Sequence, residues 1–263
     1  MDVKHNRRAD PRGVRGLSPV ISTVIISGTL LVILAVASFT SMNILELQLA
    51  STEFEQAKSN MLLLDEVIHD VAMRRGSGGY VQFNQRAGGI GIEEEETTIK
   101  VEINGTAIYE SSNPISIVYR GGSLASGSEQ TLRGNDSLLV EMGDMLSYLR
   151  VEFDNGIIIK LDYNRIRIVD MGKFNIYEGE EVKTCNMIGI NFIKLVMGSM
   201  GGSGTINFKV RNIDVKNYVY EYEGGIINLT VQRGTQTSSE QVQSTEDKTV
   251  VIFTEILIEV STS

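Results

Sequence analysis

Residues 15–39 read RGLSPVISTVIISGTLLVILAVASF, and this stretch decides the fold. From Leu17 to Phe39 it holds 23 residues without a charge, and the next charged side chain is Glu46. As a helix rising 1.5 Å per residue, such a run covers roughly 35 Å, enough for a bilayer core of about 30 Å. A charge at mid-bilayer costs about 3 kcal/mol, which accounts for the empty stretch. Upstream, residues 1–16 carry five basic side chains (Lys4, Arg7, Arg8, Arg12 and Arg15) against two acidic ones, Asp2 and Asp10. By the positive-inside rule the N-terminus stays in the cytoplasm and everything after Glu46 goes outside.

The rest of the chain has the opposite balance. The whole carries 24 basic and 33 acidic side chains over 263 residues, a net charge of -9. That acidity argues against nucleic acid as a partner. The length suffices for one domain of ordinary size or two small ones, with a buried core. Cys185 is the one cysteine, so neither an intrachain disulfide nor a Cys-based zinc cluster can form. His5 and His69 are the only histidines, which removes most triads and His-based metal sites. No cofactor and no enzymatic activity is expected.

Three fates are open to the apolar run. It stays as an uncut single-pass anchor; it is cut after Ala35-Val36-Ala37, a small-x-small site; or only the basic leader is removed. The junction Arg15-Gly16-Leu17-Ser18-Pro19-Val20 favours the third, because it resembles the class III leader of archaeal type IV pilins and archaellins. That resemblance implies cleavage by a prepilin peptidase between Gly16 and Leu17, leaving Leu17 as the new N-terminus and Ser18-Pro19-Val20 as a pilin-like start. Pro19 suits a first helical turn, where its missing N–H has no partner to lose. Bacterial type IV pilins keep Glu at the fifth mature position; here that position is Ile21. The resemblance covers about 30 residues and implies a filament subunit, major or minor, whose partners are the membrane and other pilin-like subunits.

Beyond the membrane segment, apolar residues recur at Leu47, Ala50, Phe54, Ala57, Met61, Leu64, Ile68 and Val71, with spacings alternating between three and four. This is a heptad seam on a helix. The seam can pack on the protein's own β domain, on other copies, or on both in different halves. Ser18, Ser22, Ala37 and Ser41 provide small residues for close helix approach. Arg74 and Arg75 favour the carbonyl end of the helix dipole, and Gly76-Ser77-Gly78-Gly79 ends the helix. One helix over residues 17–75 is predicted.

After Gly79 the period changes to two. Thr97–Ile103 and Thr106–Glu110 flank Asn104-Gly105, a strong hairpin signal. Tyr148–Phe153 and Ile157–Tyr163 flank Asp154-Asn155-Gly156, and Tyr218–Glu223 and Ile226–Gln232 flank Gly224-Gly225. Further strands are expected near residues 115–119, 138–141, 165–169, 187–196, 205–211 and 249–260. The predicted class is α+β: a long N-terminal hydrophobic helix followed by a mainly antiparallel, sandwich-like head over residues 80–263. A division into two lobes is expected near residues 180–186. Gly198–Gly204 is expected to be a turn, and residues 235–248, polar and low in complexity, an exposed loop.

Asp65, Glu66, His69 and Asp70 share two helical turns but are expected to be a solvated face. Glu93–Glu96 is expected to be a solvated loop, since a straight acidic run does not wrap a cation. Cys185 is expected to be buried or idle. Asn104-Gly-Thr106, Asn135-Asp-Ser137 and Asn228-Leu-Thr230 are candidate glycosylation sites in an exterior domain, Asn135 foremost because Gly134-Asn135-Asp136 is the most loop-like. The combined expectation is a pilus subunit for assembly or adhesion, through contact with a surface glycan or another cell. It would be held in the membrane or in an extracellular pilus. The alternative is a membrane-anchored β domain that binds a partner outside any filament.

Overall fold

The computed structural model describes residues 19–178, 181–223, 226–243, 246 and 248–263. Arg15, Gly16, Leu17 and Ser18 lie outside them. The chain divides into two compact units, residues 1–46 and 47–263. Helix α1 (Pro19–Ala72) is continuous, and Met73–Arg75, expected to be helical, form a turn instead.

Among the described residues, fifteen strands follow. They are β1 (Gly78–Gln85), β2 (Gly89–Glu94), β3 (Thr98–Ile103), β4 (Thr106–Ser112), β5 (Ile115–Arg120), β6 (Gln130–Arg133), β7 (Leu139–Val140) and β8 (Tyr148–Phe153). Then come β9 (Ile157–Asp162), β10 (Ile166–Glu178), β11 (Glu181–Met197), β12 (Gly204–Glu223), β13 (Ile226–Arg233), β14 (Gln236–Gln243) and β15 (Lys248–Thr262). They make a six-stranded sheet in the order β1-β12-β15-β11-β10-β7, a four-stranded sheet β14-β13-β3-β4, and a five-stranded sheet β2-β5-β9-β8-β6. Pairing is antiparallel except between β11 and β15 and between β10 and β7. The class is therefore α+β with a β-rich domain.

The long strands of the six-stranded sheet serve two cores. Alternate residues of a strand point to opposite faces. On β11, Ile188, Ile190 and Phe192 enter one core, while Ile193 and Leu195, of opposite parity, enter the other. On β15 the same exchange occurs between Val251 and Phe253 on one side and Ile258 and Val260 on the other. The first face is covered by the four-stranded sheet through Ile99, Val101, Ile103, Leu229 and Val231. The second is covered by α1 and the five-stranded sheet, which contribute Met61, Leu64, Ile68, Ile117, Leu149 and Ile159. Residues 181–186, where a division into two lobes is expected, lie on β11 and pair with β10.

Asn104 and Gly105 turn β3 into β4 with φ of 50° and 78°. Positive φ at both central residues matches the twist of the flanking strands. Residues 236–243, expected to be loop, form β14 against β13. Thr, Ser and Val on that segment alternate between half-buried and exposed, and only a two-residue turn at Gly234-Thr235 separates the strands. It is the edge strand of the four-stranded sheet, where one side stays open to solvent and polar residues are tolerated, and the short turn gives it a partner.

Candidate functional site

In the first unit, the described residues are helix, and their apolar side chains are uncovered. Every large apolar side chain from Val20 to Leu45 is 50% to 69% exposed. The helix is long and apolar enough to cross a membrane. Thr29 and Thr40 return their hydroxyls to the carbonyls of Ile26 and Val36, so their polarity is satisfied within the helix.

Within the second unit, the seam turns inward. Leu47 is still exposed, but Ala50, Phe54, Ala57, Met61, Leu64, Ile68 and Val71 are all buried. Strand β1 crosses close to the helix at Gly79, where an added Cβ would lie 2.5 Å from Val67 Cγ1. A side chain there would push strand and helix apart.

Polar groups fix this half of α1 at four levels. Near its start, the Glu53 carboxylate accepts the backbone N–H groups of Arg86, Ala87 and Gly88 at 3.1–3.3 Å and the Tyr119 hydroxyl at 3.2 Å. Burial, and then the Glu53 charge, pushes the Tyr119 hydroxyl well above its ordinary range. Two turns on, Asn60 donates to the Gln82 carbonyl at 2.9 Å. Further along, Asp65 takes the Arg133 guanidinium at 2.9 Å and the buried Tyr163 hydroxyl, while Arg133 also reaches Glu66 at 3.0 Å. Burial, followed by Asp65, raises the Tyr163 hydroxyl strongly. At the end, Asn212 donates to the carbonyls of Val71 and Ala72 at 3.1 and 3.3 Å. Those carbonyls have no partner inside the helix, and the register shift of β12 between Asn212 and Asp214 brings the amide to them.

The acidic groups therefore differ from expectation. Asp65 is 3% exposed and paired, whereas Glu66, His69 and Asp70 remain on the outer face. Glu93 and Glu94 belong to β2. Glu95 is half-buried between Arg233, at 2.5 Å, and Lys160, at 3.1 Å. Burial alone would raise its carboxyl, but those two cations hold it below the ordinary range. Nothing in the run itself announces these partners, because Arg233 is far away in sequence. Among the described residues, no group of three or more His, Cys, Asp or Glu side chains is arranged around a cation position. Cys185 is buried on β11.

The three sequon asparagines are exposed, while Ser137 and Thr230 are half-buried and Leu229 is buried. Asn104 and Asn228 are neighbours: the Asn104 N–H donates to the Asn228 carbonyl, and Asn104 Oδ1 accepts the Asn228 N–H, each at 2.9 Å. Asn135 Oδ1 accepts the Ser137 N–H at 2.9 Å in a loop turn.

The chain matches no protein-family profile, no curated protein and no solved structure. What stands, among the described residues, is an N-terminal helix long and apolar enough to cross a membrane, and a β-rich domain.

Proposed function

We propose that this chain is a type IV pilin-like surface protein of the archaeal kind, cut between Gly16 and Leu17 by a prepilin peptidase. The observation that carries the reading is the run of half-exposed apolar side chains from Val20 to Leu45 on a helix whose later turns are buried. Soluble monomers rarely leave apolar patches above a few hundred Å² uncovered, so this surface requires lipid or other helices against it. The helix waits in the bilayer and then exchanges lipid for neighbouring subunits in a bundle, where close packing replaces the lost lipid contacts. The β domain faces outward as an acidic surface, and Asn104, Asn135 and Asn228 are candidate glycan acceptors on it.

Mass spectrometry of the mature protein's first peptide tests the processing step. A start at Leu17 supports the proposal. A start at Met1 points to an uncut anchor presenting a binding domain, and a start at Ser38 to a free secreted protein; either refutes it. Electron microscopy of the processed protein after membrane extraction tests assembly, with filaments as the expected outcome.

A further inference from the structure

We propose that a polar cleft between the β13–β14 turn and strand β8 binds the carboxylate of an acidic sugar, a uronate. The cleft has a volume of about 610 Å³, inside the roughly 300–1,000 Å³ usual for small-molecule sites. Arg150, Arg165 and Arg233 line it together with Thr97, Tyr148 and Gln236. The proposal concerns the β domain alone and stands whether or not α1 enters a filament.

The charges at the cleft are unevenly matched. Asp162, fully buried, is shared by three guanidiniums, at 2.9 Å from Arg150, 3.5 Å from Arg165 and 4.0 Å from Arg233. Glu95 answers both Arg233 and Lys160, and Glu152 answers Arg150 at 2.6 Å. Arg165 is left with the least. It is 2% exposed, its Nη1 donates to the Asn135 carbonyl, its Nη2 has only the long contact to Asp162, and its Nε has no partner. Burial, and then the nearby Arg233 and Arg150 charges, outweigh Asp162 and lower its pKa from the ordinary value. A buried guanidinium with an unused N–H is costly unless an acceptor arrives. A planar carboxylate matches its fork.

The rest of the lining selects the frame that carries the acid. Thr97 Oγ1 is also buried without a partner, and Gln236 adds an amide beside it. These groups suit ring hydroxyls. Glu95 lines the cleft as well, and Glu96 and Asp136 lie on its exposed rim, where they accept from ring hydroxyls. Tyr148 stacks under Arg150 and Arg165 at 4.6 and 5.0 Å and holds the two guanidiniums in place.

The test is isothermal titration of the full-length chain in detergent micelles with three probes: trigalacturonate, a neutral hexose trimer and inorganic phosphate. Trigalacturonate is expected to bind about tenfold tighter than the neutral trimer, the loss typical of removing a charge-assisted pair, with phosphate no tighter than the neutral sugar. Arg165→Met is expected to abolish that preference. Thr97→Val, which leaves every ion pair in place and removes a buried hydroxyl without a partner, is expected to weaken trigalacturonate severalfold with no fall in melting temperature, and it decides the matter if Arg165→Met does not fold. Equal affinity for acidic and neutral sugars overturns the proposal. So does phosphate binding that matches trigalacturonate, or trigalacturonate binding indifferent to Thr97→Val.

Discussion

Replacing Asp65 with Ala removes the one buried carboxylate on α1 and leaves two groups behind. The Tyr163 hydroxyl is enclosed, and its remaining acceptor is the Asp65 backbone carbonyl at 3.3 Å. A buried hydroxyl stripped of its good partner costs about 1–3 kcal/mol. Arg133 is less exposed to harm: its side chain is 23% exposed and keeps Glu66 at 3.0 Å, so its share is about 1 kcal/mol or less. Together, Asp65→Ala should destabilise the protein by about 1–4 kcal/mol, reaching the cost of a broken buried pair only at the upper end. Tyr163→Phe alone should cost about 1 kcal/mol, because Asp65 then still holds Arg133. The double variant should be no less stable than Asp65→Ala, since the orphaned hydroxyl is gone, which gives a coupling of about 1–2 kcal/mol. Urea unfolding of the full chain in micelles measures all three by circular dichroism. Tyrosine fluorescence is the second probe, because the chain has no Trp. Strict additivity of the two substitutions, or a cost below about 0.5 kcal/mol for Asp65→Ala, would refute the reasoning.

Alkaline pH should destabilise the β domain steeply. Tyr163 keeps its proton in the folded state far above the ordinary value of 10.0, so above pH 10 the unfolded chain releases a proton that the folded one retains. Stability present below pH 10 is then lost by about 1.4 kcal/mol per pH unit for this residue, and Tyr163→Phe should flatten the slope by that amount in pH-dependent urea titrations. Glu53→Ala strips an acceptor from three backbone N–H groups and the Tyr119 hydroxyl, and should lower the melting temperature by about 4–10 °C; an unchanged value would remove Glu53 from the anchoring role. Leu31→Lys should cost about 3 kcal/mol of membrane insertion and shift the chain out of the membrane fraction, while the melting temperature of the β domain stays the same.

The apolar run after Leu17 and the Asn104-Gly105 turn were legible because their cause is local. Uncharged length sets what a helix can cross, and a tight turn needs positive φ wherever its partners lie. The seam from Ala50 to Val71 was legible as one face, since helical spacing alone aligns it. Which surface would cover that face was not. The parallel pairing of β11 with β15 was equally hidden, because both strands are apolar on alternating faces and accept several partners by pattern alone. Polar anchoring ran the same way. Asp65 looked like its solvated neighbours Glu66 and Asp70 until β6 and the end of β9 brought Arg133 and Tyr163 to it. The arginine cleft joins β8, the β9–β10 junction and the β13–β14 turn, segments far apart in the chain. Sequence determined the elements, whose energies depend on near neighbours. The tertiary structure decided which charges are buried together, because desolvation depends on whatever surrounds a side chain in space.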